Sequence, residues 1–175
     1  MNKKSIIALV VLMIGGAAAI YFYLGGLNKV DITLETVSDY NLVGQHYTGS
    51  YDSDTLQNAF FEARDLVTKG QLDGILTMLH YKDTTLKEDH IKVFVGIKLN
   101  AGTSNLPSHY QRLTVPARRA VRATIEAHNS VMPNSETIEE RLQQKGEELN
   151  LELQDFTIEQ YLGERELMID LPVRQ

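Results

Sequence analysis

The chain has no cysteine, no tryptophan and only four prolines in 175 residues. Without cysteine it can form neither a disulfide nor a thiolate metal site, so its stability must come from a packed core. A domain of about 145 residues can bury one without covalent staples. Acidic residues are missing from the first 29 positions, which carry Lys3, Lys4 and Lys29. Setting those three aside leaves 14 Lys/Arg against 23 Asp/Glu, a net charge of −9 on the remainder. Such a surplus repels nucleic acid and anionic lipid, and nucleic acid is excluded as a partner. The histidines, His46, His80, His90, His109 and His128, show no metal-ligand spacing. No metal and no cofactor is expected.

One long uncharged run is present, Ile6 to Leu24. At about 1.5 Å per residue it would span about 28 Å, close to the hydrocarbon thickness of a bilayer. Ala17-Ala18-Ala19 would serve as a cleavage site in a signal peptide. The apolar run continues past it, however, which favours an uncleaved anchor. The chain is therefore divided into a flank (1–5), a transmembrane anchor (6–24), a tether (25–30) and a domain (31–175). Lys3 and Lys4 against Lys29 predict a cytoplasmic N-terminus by the positive-inside rule. The expectation is a single-pass protein of the bacterial inner membrane, contacting the bilayer through 6–24, with its domain in the periplasm; the alternative faces the cytoplasm.

Within the domain, apolar periodicity marks the elements. Residues 31–36 and 41–51 read as strands. Asp54 with Gln57 has the form of a capping box and opens a helix with Leu56, Phe60, Ala63 and Val67 on one stripe, closed at Gly70. Strands follow over 74–81 and 91–99, then over 110–116 and 118–127. Asn134 or Ser135 caps a second helix carrying Ile138, Leu142 and Leu149. Residues 155–173 form a final hairpin turning at Gly163. Strand, helix, strand, strand thus occurs twice, and an offset of 80 lays Tyr81 on Tyr161.

The hairpin poses the functional question. Phe156 and Ile158 alternate with Thr157, Glu159 and Tyr161, so Glu159 shares a face with a tyrosine. A carboxylate there is costly unless something pairs with it. Arg122, on the non-core face of its own strand, is the candidate internal partner; a ligand is the other.

Several motifs, in order, carry a resemblance: Tyr47-Thr-Gly-Ser-Tyr51, His80-Tyr-Lys-Asp83, Val95-Gly-Ile-Lys-Leu99, Glu159-Gln-Tyr161 and Leu171-Pro-Val173. Residues 31–175 resemble the GyrI-like small-molecule-binding (effector-binding) domain, and the preceding apolar run resembles the membrane-anchored branch of that family. The resemblance implies an α+β fold of duplicated βαββ modules. Their single sheet has two helices on one face and a ligand cleft on the other. It further implies a hydrophobic ligand, cations included, with Glu159 as the ligand carboxylate and Tyr81 and Tyr51 as contacts. Phe94 and Tyr161 join these by alternation. No helix-turn-helix segment accompanies the motifs, so the resemblance does not extend to a transcription activator.

Three functions stay open on these residues. One is a membrane-anchored sensor or sequestering module for a hydrophobic or cationic small molecule. Another is a hydrolase of small electrophiles in which Glu159 and Tyr81 reach one substrate atom. The last is a scaffold that docks a protein partner the sequence does not name.

Overall fold

The computed structural model describes residues 3–26, 28, 30–102 and 105–175. Helix α1 (Lys3–Tyr23) precedes β1 (Asp31–Thr36), β2 (Tyr40–Ser50), α2 (Asp54–Thr68), β3 (Gly74–Tyr81) and β4 (His90–Leu99). Then come β5 (Gln111–Val115), β6 (Arg119–Glu126), a short 3-10 turn, α3 (Ser135–Glu148), β7 (Phe156–Tyr161) and β8 (Glu166–Pro172). The caps follow from side-chain chemistry. Asn134 accepts from the Thr137 amide at 2.9 Å. At α2 the cap is Ser53, one residue before the predicted Asp54, accepting from the Thr55 amide at 3.1 Å. Gly70 ends that helix at φ +66°, which a side chain would resist.

All eight strands join one antiparallel sheet in the order β1-β6-β8-β7-β3-β4-β2-β5. The two βαββ modules, β2-α2-β3-β4 and β6-α3-β7-β8, meet where β3 pairs with β7. Each module lends its preceding strand to the other: β1 pairs with β6, and β5 with β2. The links from β1 to β2 and from β5 to β6 each cover four Cα steps, a reach of about 15 Å. In a flat sheet the strands they join would lie about 29 Å apart. The sheet must therefore curl until the two crossings meet. They do, through the Val37 amide on the Arg118 carbonyl (2.9 Å) and the Ala117 amide on Asp39 (3.0 Å). The cross-strand pair Gly44↔Gly96 permits close approach within the curl. A Cβ on Gly96 would overlap the Val43 carbonyl oxygen, and one on Gly44 the Val95 carbonyl oxygen.

Both faces are buried. On one, α2 covers Val43, Met78, Val93, Val95 and Ile97, while α3 covers Val121, Ala123, Ile125 and Ile169. On the helix-free face Tyr40, Leu42, Leu79, Phe94, Val115 and Ile158 make a second core under the crossings.

Two expectations are corrected. Among the described residues, no helix is long and apolar enough to cross a membrane. The single-pass inner-membrane localisation is thereby overturned, and the expected anchor over 6–24 and its bilayer contact find no support among the described residues. The end of α1 instead abuts the domain: the His128 amide donates to the Leu24 carbonyl at 2.9 Å, and the Arg165 guanidinium lies 5.0 Å from the Tyr23 ring centroid. Leu27 and Lys29 of the tether lie outside the described residues. The repeat offset is also corrected. The caps Ser53 and Asn134 and the helix starts Asp54 and Ser135 all give 81, not 80.

Candidate functional site

The offset of 81 equates Met78 with Glu159, and these two face each other in the β3–β7 register. The pseudo-twofold axis therefore passes through that pair. Two residues further along each strand, on the same face, stand His80 and Tyr161, which the axis also equates. All four point to the helix-bearing side, because Met78 packs in the cluster of Leu56, Ala59, Val93 and Val95 beneath α2.

Glu159 is 6% exposed. The Tyr161 hydroxyl donates to its Oε2 at 2.6 Å, and His80 Nε2 lies 3.5 Å from the same oxygen. That separation suits an ion pair, but the two atoms are not aligned for a hydrogen bond, and His80 Nε2 is buried without another partner. Burial opposes ionisation of Glu159. The charge of His80, with the hydrogen bond from Tyr161, outweighs burial and holds the carboxyl below its usual range. Burial also works against a charged His80, but Glu159 and then Glu139 of α3 raise its pKa above the ordinary value. The Tyr161 hydroxyl is pushed up by burial and by the adjacent carboxylate.

Tyr161 also borders open space. Its ring meets Phe60 edge-on at 5.2 Å and lines a cavity of about 600 Å³ with Phe60, Val67, Leu76 and Leu162. Arg64, Asp65 and Glu164 supply charge at its edge. One side chain thus separates a buried carboxylate from a hollow of mixed polar and apolar lining beside α2.

The other predicted residues are not brought to this place. Tyr81 and Phe94 belong to the helix-free core, so the cleft residues expected to act together are divided between the two faces. Tyr81 borders a separate hollow of about 470 Å³ with Leu79, Leu113, Val115 and Phe156. Glu159 and Tyr81 therefore cannot meet one substrate atom, and the hydrolase arrangement predicted from them is corrected. Tyr51 is 54% exposed in the turn before α2, its amide bonded to the Asp89 carbonyl. Arg122 does not reach Glu159. Its Nε and a terminal nitrogen grip Asp170 on the helix-free side at 2.6 and 2.8 Å. Asp170 is wholly buried and also accepts from Tyr40 (2.7 Å) and Gln160 (2.9 Å); Lys98 donates to Gln160 at 2.7 Å. The residues that sequence reasoning missed are His80 and Phe60. Placing His80 on the face of Glu159 needs the correct repeat offset, because the continuous run Gly74–Tyr81 does not mark its faces by alternation.

No family model matches the chain, and no curated protein matches it in sequence. Solved structures do match. The C-terminal domain of EcmrR aligns at TM-score 0.61 and 17% identity, over 83% of this chain and 98% of that one. SAV2435, determined bound to tetraphenylphosphonium, aligns at TM-score 0.52 and 12% identity, over 82% and 94%. A hydrolase from Listeria innocua aligns at 0.55 and 13%, over 83% and 93%. At such identities the likeness is one of fold: this chain shares the α+β fold of these proteins, which is consistent with the GyrI-like architecture that its ordered motifs led us to expect.

Proposed function

We propose that residues 31–175 form a binding module, a sensor or sequestering domain, for hydrophobic small molecules that include organic cations. In this reading Glu159 is the carboxylate that meets the ligand's charge. The observation that carries it is the wall shared by acid and cavity: Tyr161 lines the 600 Å³ hollow with its ring and holds Glu159 with its hydroxyl. A ring face and a desolvated carboxylate both favour a cation over a neutral molecule of the same shape. A hollow that sets aromatic and aliphatic walls beside a few charged groups is a usual form of a small-molecule site. The shared fold of SAV2435, which holds a bulky aromatic cation, supports the same class of ligand here. Phe60 and Leu76 join Tyr161 as ligand contacts in place of Tyr51, Tyr81 and Phe94.

The test is calorimetric titration of the full chain with tetraphenylphosphonium, in parent and Glu159→Gln. Removing one member of a buried charge pair commonly costs about 2–5 kcal/mol, so the variant should bind about thirtyfold or more weakly. Equal affinities, or no binding by the parent, would sink the reading.

A second reading is favoured by one contact. The 2.6 Å bond between Tyr161 and Glu159 is an acid–base pair able to hydrate a strained electrophile. Glu159 would accept a proton from water as its oxygen attacks carbon, and Tyr161 would protonate the leaving oxygen. Conversion of styrene oxide to its diol by the parent, lost in Tyr161→Phe, supports it; no diol above background removes it.

A further inference from the structure

We infer that His80 is the resident counter-ion of Glu159, and that a cationic ligand replaces it by displacing its proton, so that binding exchanges ligand for H⁺. The inference rests on the reading of Glu159 as ligand carboxylate, and it names the regulation and the competitor of that same site.

The geometry assigns His80 this part. It and Tyr161 are the pseudo-equivalent neighbours of the axial acid, one on each side, and both address Oε2. Tyr161 is a neutral donor tied to the carboxylate by a short bond. His80 Nε2 is held at ion-pair distance with no other acceptor, so it is attached to Glu159 by charge alone. Nε2 is buried, but the side chain as a whole is 31% exposed, so the ring has contact with water through which it can exchange a proton.

Among the described residues, no other cationic side chain pairs with Glu159. On β7 His80 faces Thr157, its partner in register, and then Glu159, the next residue on the same face. From α3, Glu139 adds a second negative charge. On β4, its neighbour in register is Val93, flanked by Ile91 and Val95. The α2 side presents Leu56, Ala59 and Phe60 there, and its charges Arg64 and Asp65 border the cavity beyond Tyr161. The acidic balance of these groups supports a His80 that holds its proton at mildly acid pH. A cation drawn against Glu159 removes the reason for that proton to stay, since two positive charges beside one carboxylate repel.

Linkage then fixes the outcome. Where His80 is protonated, each cation bound releases up to one proton, and affinity falls up to about tenfold for each unit of acidification. Where His80 is neutral, no proton is released and affinity is level. A protonatable amine gains less from alkaline pH than a permanent cation, because it loses its own charge there.

Tetraphenylphosphonium is the probe, because it has no proton to exchange and every proton counted comes from the protein. The full chain is titrated at pH 5.5 and pH 8.5, each in two buffers of different ionisation enthalpy. We expect proton release approaching one at pH 5.5 and near zero at pH 8.5, with tighter binding at pH 8.5. The His80→Gln variant should bind without proton release and with level affinity. In the ligand-free protein, NMR titration of the His80 ring should give a raised pKa that falls in Glu159→Gln. Binding with no proton release at either pH, or the same release from His80→Gln, overturns the exchange and leaves the ligand reading standing. No binding at either pH overturns both.

Discussion

Met78 and Glu159 are the same position in two copies of one module, facing each other across the axis that relates the copies. An apolar residue on one side and an acid on the other make the centre of a near-symmetric sheet asymmetric in charge. Because Met78 fills the equivalent position, the pair holds one acid rather than two. Its neighbours inherit the asymmetry, a histidine in one half and a tyrosine in the other.

Copying the axial partner tests whether the acid serves stability or binding. Glu159→Met swaps a buried carboxylate for an apolar side chain of similar volume. Such replacements of buried charge are often neutral or stabilising. Urea unfolding should place the variant within about 1.5 kcal/mol of the parent, with tetraphenylphosphonium binding lost. A variant that fails to fold would make Glu159 structural.

Stability should depend on pH through the same pair, with a definite sign. His80 is held above its ordinary value, near 6.5, so its contribution is fully present below about pH 6.5 and is lost as pH rises through the folded value. Glu159 is held below its ordinary value, so its contribution is present above about pH 4.3 and is lost as pH falls through the folded value. The pair therefore stabilises most at mildly acid pH. The unfolding free energy of the parent minus that of His80→Gln should shrink from pH 6 to pH 9; a difference that grows would refute the pairing.

On the helix-free side, Asp170 has no exposure and depends on Arg122 for its counter-charge. Arg122→Met should cost about 3–5 kcal/mol, since it strands a buried carboxylate with only Tyr40 and Gln160 as donors. The double variant Arg122→Met, Asp170→Leu should be more stable than that single one. Chemical denaturation of the three proteins measures both statements. Neither variant touches Glu159, so ligand binding by whatever remains folded should be unchanged.

The curl of the sheet makes its own prediction. Gly96→Ala puts a methyl carbon into the backbone of the neighbouring strand, where no flexible side chain can yield. A loss of about 2 kcal/mol or more is expected. Gly102→Ala, where an added Cβ meets nothing within 4 Å, is the control and should stay within about 0.5 kcal/mol.

Most of the fold was legible because periodicity was. The eight strands and the two domain helices fell where alternation and capping residues placed them, and the resemblance named the architecture. The site was half legible. Glu159 and Tyr161 share a strand, so parity alone put them together. Their partner His80 lies on a strand buried on both sides, where alternation carries no signal. The resemblance brought Tyr81 into the site and an offset of 80 laid it on Tyr161, whereas the offset of 81 puts His80 there, on the opposite face of the sheet from Tyr81. Arg122 could not be assigned, since Asp170 looked like any polar residue near the end of a hairpin. For the apolar N-terminal run, hydropathy reports composition and could not show that the chain just after α1 bonds to the domain, the Leu24 carbonyl accepting from the His128 amide.

The exchange of leading strands decides how the chain can reach this state. Asp31 pairs with Thr124, about 90 positions away, and such distant pairings are closed late and slowly in folding. Neither module can complete its own sheet, because β1 belongs to the partner of the module it precedes, and so does β5. A break between β4 and β5 would leave two fragments, each carrying a strand that only the other can use. They should be unstructured apart and should reconstitute the domain when mixed, as a complementing pair rather than as two half-domains.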